Sequence, residues 1–177
     1  MSSCCSGESC DKTNVAWSTR TACPRCGAVG KVVGDDTIRA ILKPGHADAL
    51  RALERRFCGT PSCAVLYYDA EGRVVEKSAA SVRIGVKEAE DPIPLCYCFG
   101  FTRADVRREV AETGESTIPN RIDAEVRAGR CACERKNPSG ACCLGDVRKA
   151  AKEAEATLAA GPDASGDTLG HEASNCA

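Results

Sequence analysis

Cys23-Pro24-Arg25-Cys26, answered further along by Cys58-Gly59-Thr60-Pro61-Ser62-Cys63, is the stretch on which the fold turns. A Cys-x2-Cys turn sets two thiolates at the separation a tetrahedral ion needs, and the second pair closes a four-sulfur site. Such a site is structural because four cysteines leave no open position for catalysis. Zinc and a rubredoxin-type iron both suit four thiolates. A thioredoxin-like redox motif would follow a strand in a βαβ unit, and nothing before Cys23 reads as a strand.

The rest of the chain explains why metal is needed. It has 177 residues and 14 cysteines, but only 4% aromatic residues, so large side chains cannot fill an extensive core. A segment of this size draws only ~3–5 kcal/mol from its core, whereas a structural zinc can add on the order of 10–16 kcal/mol. Basic and acidic residues balance at 24 to 25, and no basic stripe with interleaved aromatics suggests nucleic acid. No apolar run is long enough to span a membrane, and the polar stretch Met1–Trp17 is no secretory signal. The expected location is therefore the cytoplasm, where clustered cysteines bind metal more readily than they form a disulfide framework.

Outward from the first pairs, residues 21–87 read as a β-rich subdomain stabilised by this metal site. Strands are predicted over Val29–Val33 and Thr37–Leu42 around the Gly34-Asp35-Asp36 turn, and a helix over Pro44–Arg56 with Leu50, Leu53 and Phe57 on one face. Ala64–Tyr68 reads as a strand, Asp69–Gly72 as a hairpin turn before Val74 and Val75, and Ser81–Val86 as a strand with Val82, Ile84 and Val86 on one side. The segment 88–94, with two prolines and three acids, reads as a linker.

Residues 95–160 read as helical, giving an α+β protein overall. Thr102 and Asp105 form a capping box opening Arg103–Thr113, with Gly114 as its stop. Ser116 or Thr117 caps a second helix carrying Ile118, Ile122 and Val126, and a third runs from about Gly145 to Ala160, with a stripe of Leu144, Val147, Ala151, Ala154 and Leu158. Cys96, Cys98, Cys131, Cys133, Cys142 and Cys143 lie before these helices, where free backbone N–H groups stabilise an anionic iron–sulfur cluster. A second zinc site is the competing reading of these six.

The motifs Cys-Pro-Arg-Cys at 23–26, Phe57-Cys58-x4-Cys63-Ala-Val-Leu-Tyr-Tyr68, Cys96-Tyr-Cys-Phe-Gly-Phe-Thr102 and Cys133-Glu-Arg-Lys-Asn-Pro-Ser-Gly-Ala-Cys-Cys-Leu-Gly-Asp-Val147 occur in this order. Over roughly Thr21–Lys149 they resemble the N-terminal domain of CopZ-type copper chaperones, whose cluster half is similar to bacterioferritin-associated ferredoxin. The resemblance implies zinc on Cys23, Cys26, Cys58 and Cys63, and a [2Fe–2S] cluster on Cys96, Cys98, Cys133 and Cys143. It also implies a metallochaperone-like role in metal homeostasis, with the cluster reducing or handling copper or another soft metal and a protein partner for redox or metal transfer, and no enzyme activity. The main rival is a ferredoxin-like one-electron carrier serving a reductase or an iron-storage partner. A zinc-ribbon-like binding module is a third reading, weakened by the missing basic face. The family's separate copper-binding domain is not expected after Cys143, and the tail 1–20 carries Cys4, Cys5 and Cys10, which read either as mobile thiols without a fixed role or as a Cu(I) capture site formed on binding. Residues 161–177, with His171 and Cys176, read as a disordered tail.

Overall fold

The computed structural model describes residues 21–51 and 53–161, so the expectations for Cys4, Cys5, Cys10, His171 and Cys176 lie outside the described residues. A strand that is buried along its whole length, β3 (Val65–Asp69), organises the first half. It is flanked in an antiparallel sheet by β2 (Arg55–Phe57) and β4 (Val74–Glu76), and β1 (Lys31–Val33) completes the order β1-β2-β3-β4. The turn after β3 forms as the sequence predicts. Its anchor is the fully buried Asp69 carboxylate, which accepts the N–H groups of Arg51, Glu71 and Arg73 at 3.2, 3.0 and 2.9 Å.

Three expectations for this half are overturned. Thr37–Leu42 is not a strand: Asp35–Ile41 forms the helix α1. Asp35 and Asp36 in its first turn complement the positive end of the helix, and Asp35 pairs with Arg39 one turn on at 2.7 Å. Burial of Thr37, Ile38 and Ile41 then outweighs the β preference of branched side chains.

Pro44–Arg56 is not a helix either. Only Ala47–Ala49 makes a single 3-10 turn, and the segment ends in β2. Leu50 is buried but Leu53 is 99% exposed, so the apolar spacing never marked a common face. Phe57 is claimed instead by the sheet, opposite Lys31 and Tyr67.

Ser81–Val86 pairs with no strand. Ile84 is buried while Val82 and Val86 point outward, and Gly85–Lys87 forms a 3-10 turn. Gly85 lies so close to Pro94 that a Cβ would sit 1.9 Å from the Pro94 carbonyl oxygen, which excludes any side chain there.

The second half opens with the two-stranded β5 (Pro94–Cys96) and β6 (Phe101–Thr102). Helices α2 (Arg103–Thr113), α3 (Ile118–Arg127) and α5 (Leu144–Ala160) follow as expected, with the unforeseen short helix α4 (Cys133–Lys136) between the last two. The Thr102/Asp105 capping box is present in full, and Gly114 is left-handed. The expected Ser116/Thr117 cap of α3 is not made by either side chain. The Glu109 carboxylate of α2 supplies it, accepting from the hydroxyls of Ser116 and Thr117 at 2.8 and 2.6 Å and from the Ile118 N–H at 3.3 Å. The core of this half gathers Leu95, Val106, Ile118, Ile122, Val147 and Ala151; Leu158, the last residue of the expected stripe, is about half exposed. A small antiparallel sheet followed by helices is the α+β architecture that the sequence predicts.

The halves are tied by hydrogen bonds. The Tyr67 hydroxyl donates to the Pro138 carbonyl at 2.8 Å, and that of Thr37 to the Glu134 carbonyl. The Tyr97 hydroxyl accepts from the Gly85 N–H at 2.8 Å and donates to the Arg83 carbonyl at 3.1 Å.

Candidate metal centres

Two tight turns present the first thiol set. In one, the Gly27 N–H returns to the Cys23 carbonyl at 2.9 Å, and Gly27 adopts φ +74°, open to a residue without Cβ. In the other, the Cys63 N–H bonds the Thr60 carbonyl at 3.2 Å, and the Cys58 N–H fixes the loop to β3 through the Leu66 carbonyl at 2.9 Å. The sulfurs of Cys23, Cys26, Cys58 and Cys63 come together, all within 4.8 Å of one another, with Cys26 and Cys58 3.6 Å apart. A Zn–S bond of ~2.3 Å in a tetrahedron puts sulfurs about 3.8 Å apart, so the set lies within about an ångström of the spacing zinc needs.

The electrostatics of this set are uneven. Burial pushes the thiols of Cys23, Cys58 and Cys63 up, which a bound cation would reverse. Cys26 faces solvent, and the Thr60 hydroxyl, 3.3 Å away, with the Ala28 backbone lowers its thiol to about 6.

The second set comes from the β5–β6 hairpin and from the starts of α4 and α5. Cys96 ends β5, Cys98 lies in the turn closed by the Gly100 N–H on the Cys96 carbonyl at 2.9 Å, Cys133 opens α4, and Cys143 is the residue before α5. Thus two of the four stand at helix starts, and Cys96 and Cys98 are separated from α2 by β6. Cys98 and Cys133 sulfurs are 3.7 Å apart, and Cys98 accepts the Ala132 N–H at 3.3 Å. The neighbouring Cys143 thiol lowers Cys96 to about 6, while Cys96 together with burial raises Cys143. Burial pushes Cys133 up to about 12. Of the remaining pair, Cys131 is half-buried and Cys142 exposed.

Sequence reasoning passed over two neighbours of these centres. Lys87 sits in the segment read as leading into a linker, yet it is buried beneath the Cys58–Cys63 loop. Tyr97, enclosed between Cys96 and Cys98, is pushed up to about 12 by burial where it meets the first half. No periodicity marks either residue; the Cys-Tyr-Cys motif itself was the one available hint for Tyr97.

Two thiol-rich sites, one on a small sheet and one among helices, define a cysteine-ligated metal-binding protein. The chain is similar to known proteins. Residues 20–81 match a family described as a zinc binding domain of the CopZ type. Over 147 residues the chain is 33% identical to the copper chaperone CopZ of Archaeoglobus fulgidus, covering 77% of this chain and 69% of that protein. The X-ray structure of the N-terminal domain of that CopZ aligns with a TM-score of 0.61 at 30% identity, over 72% of this chain and 95% of the domain. The chain belongs to the CopZ copper chaperone family. Among the described residues, no helix is long and apolar enough to cross a membrane.

Proposed function

We propose that this chain is a cytoplasmic metallochaperone that pairs a structural Zn2+ on Cys23, Cys26, Cys58 and Cys63 with a redox-active [2Fe–2S] cluster on Cys96, Cys98, Cys133 and Cys143. Its cargo is copper or another soft metal, exchanged with a protein partner, and it carries metal instead of turning over a substrate. The observation that carries the reading is the pairing of the Cys98 and Cys133 sulfurs, 3.7 Å apart, in the same core as the buried Cys96 and Cys143. Among the described residues the only ligand group gathered within 4.8 Å is the Cys23 set, so this second set is spread more widely than one tetrahedral ion favours.

A [2Fe–2S] centre supplies one-electron chemistry when bound, at a potential set by hydrogen bonds to sulfur and by solvent exposure. The residues here act on both: the Ala132 N–H points at Cys98, and Cys96, Cys133 and Cys143 are buried. Access for a partner remains at half-buried Cys98 and Phe99. Protein purified without oxygen should be red-brown and contain about two irons and two sulfides per chain, the stoichiometry of this cluster type, beside one zinc. Colourless protein holding zinc alone would refute the cluster.

A further inference from the structure

Lys87 is 8% exposed, and its ammonium donates to the carbonyl oxygens of Thr60 and Cys63 at 2.7 and 2.9 Å. Both carbonyls belong to the loop that carries Cys58 and Cys63. The backbone of Lys87 is itself held: its carbonyl accepts from Lys77 Nζ at 3.0 Å, and Lys77 pairs with Glu88 at 2.9 Å. The Lys77 N–H in turn donates to the carbonyl of Ala64, next to Cys63, at 2.8 Å.

A buried cation is costly unless an opposite charge answers it. Two carbonyl dipoles solvate the ammonium but carry no net charge, and among the described residues no carboxylate pairs with it. A divalent ion on four thiolates, by contrast, leaves a net negative charge of two, and that charge is generated in the loop Lys87 grips.

We propose that Lys87 is the countercharge of the thiolate centre formed by Cys23, Cys26, Cys58 and Cys63. It offsets part of the negative charge left on the metal–thiolate unit, and its two carbonyl bonds keep the Cys58–Cys63 loop in ligating geometry. Lys87 is thus a positioning residue, and this role rests on the reading of that set as a zinc centre. It also accounts for a lysine being buried at a place where the fold offers no carboxylate.

The test uses the full chain with zinc and, separately, with Co(II) in the site. Lys87→Met keeps most of the length of the side chain and loses its charge. It should weaken zinc retention against a chromophoric chelator by about tenfold to a hundredfold, as loss of an outer partner of a metal ligand does. Its thiolate-to-cobalt absorption should move to lower energy, because removing a nearby positive charge raises the sulfur donor levels. Lys87→Arg, with charge and donors retained, should restore both. A folded Lys87→Met protein that holds zinc as wild type does would overturn the proposal, as would equal weakening in both variants with the absorption unmoved. Should Lys87→Met not fold with zinc, Lys87→Gln carries the same expectation, and wild-type retention in that neutral variant would sink it. Wild-type protein that binds no zinc would refute the metal centre itself.

Discussion

The neighbouring cysteines differ in what surrounds them. Cys133 and Cys143 are buried against Cys98 and Cys96, while Cys142 is exposed and Cys131 half-buried. In the proposed cluster, a thiolate that loses its place in the four-ligand set is not replaced by a hydroxyl at the same position, because a soft metal site selects sulfur. Cys133→Ser and Cys143→Ser should therefore abolish the visible absorption of the anaerobic protein. Cys131→Ser and Cys142→Ser should retain it, and the reverse pattern would move the ligand assignment to Cys131 and Cys142 while leaving a cluster in place. These choices follow the Asn137-Pro138-Ser139-Gly140 turn, where the Asn137 side chain accepts the Ser139 N–H at 3.0 Å and donates to the Ala141 carbonyl at 2.8 Å. That turn spaces Cys133 from Cys143.

Helix signals were more legible than strand signals because caps are local. The Thr102/Asp105 box needs only a spacing of three, and it stands where the sequence puts it. The start of α3 was not legible in the same way, since the acceptor, Glu109, belongs to the preceding helix. Its carboxyl is held below the usual range, first by the Thr117 hydroxyl. Glu109→Ala should cost about 1 kcal/mol, the typical value of a lost N-terminal cap, in urea unfolding of the cluster-loaded protein, with the cluster spectrum itself unchanged. Thr102→Ala should cost a similar amount by the same mechanism. The failed elements share another cause: α1 is a helix because Ile38 and Ile41 enter the core with Phe57, Leu66 and Tyr67 while Thr37 bonds the Glu134 carbonyl of α4, and the residues 81–86 stay unpaired because Gly85 is pressed against Pro94. These partners lie outside the few residues that a local pattern covers.

Across the whole molecule, β3 links the two centres. Tyr68 packs with Cys23, Cys58 and Cys63 and bonds the Thr21 carbonyl at 2.6 Å, while its neighbour Tyr67 reaches the turn between Cys133 and Cys143. Adjacent strand residues face opposite sides, so one strand touches both sites. Because zinc ties distant segments together, Cys58→Ser should eliminate zinc and unfold residues 21–87, read by amide exchange. The cluster half, 95–160, has its own core and should keep its absorption, but lose it faster to oxygen or chelator once the Tyr67, Thr37 and Tyr97 bonds are gone. Simultaneous loss of both centres would mean a single cooperative unit. Tyr67→Phe isolates one such bond: removing a buried partner costs about 1–3 kcal/mol, and the prediction is faster bleaching with zinc fully retained.

The sequence by itself determined the class of fold and the four cysteines, Cys23, Cys26, Cys58 and Cys63, that come together as one thiol set. Ligand type and spacing are written directly in the cysteines, capping boxes and glycine stops act within a few residues, and both are read without knowing what packs where. Only the tertiary structure decided that 35–41 is helical, that 81–86 is not a strand, that Glu109 caps α3, and that Lys87 lies buried under the Cys58–Cys63 loop. Each of those outcomes depends on a contact between residues far apart in the chain or on burial of a charge, and neither burial nor a distant partner has a local signature in the order of residues.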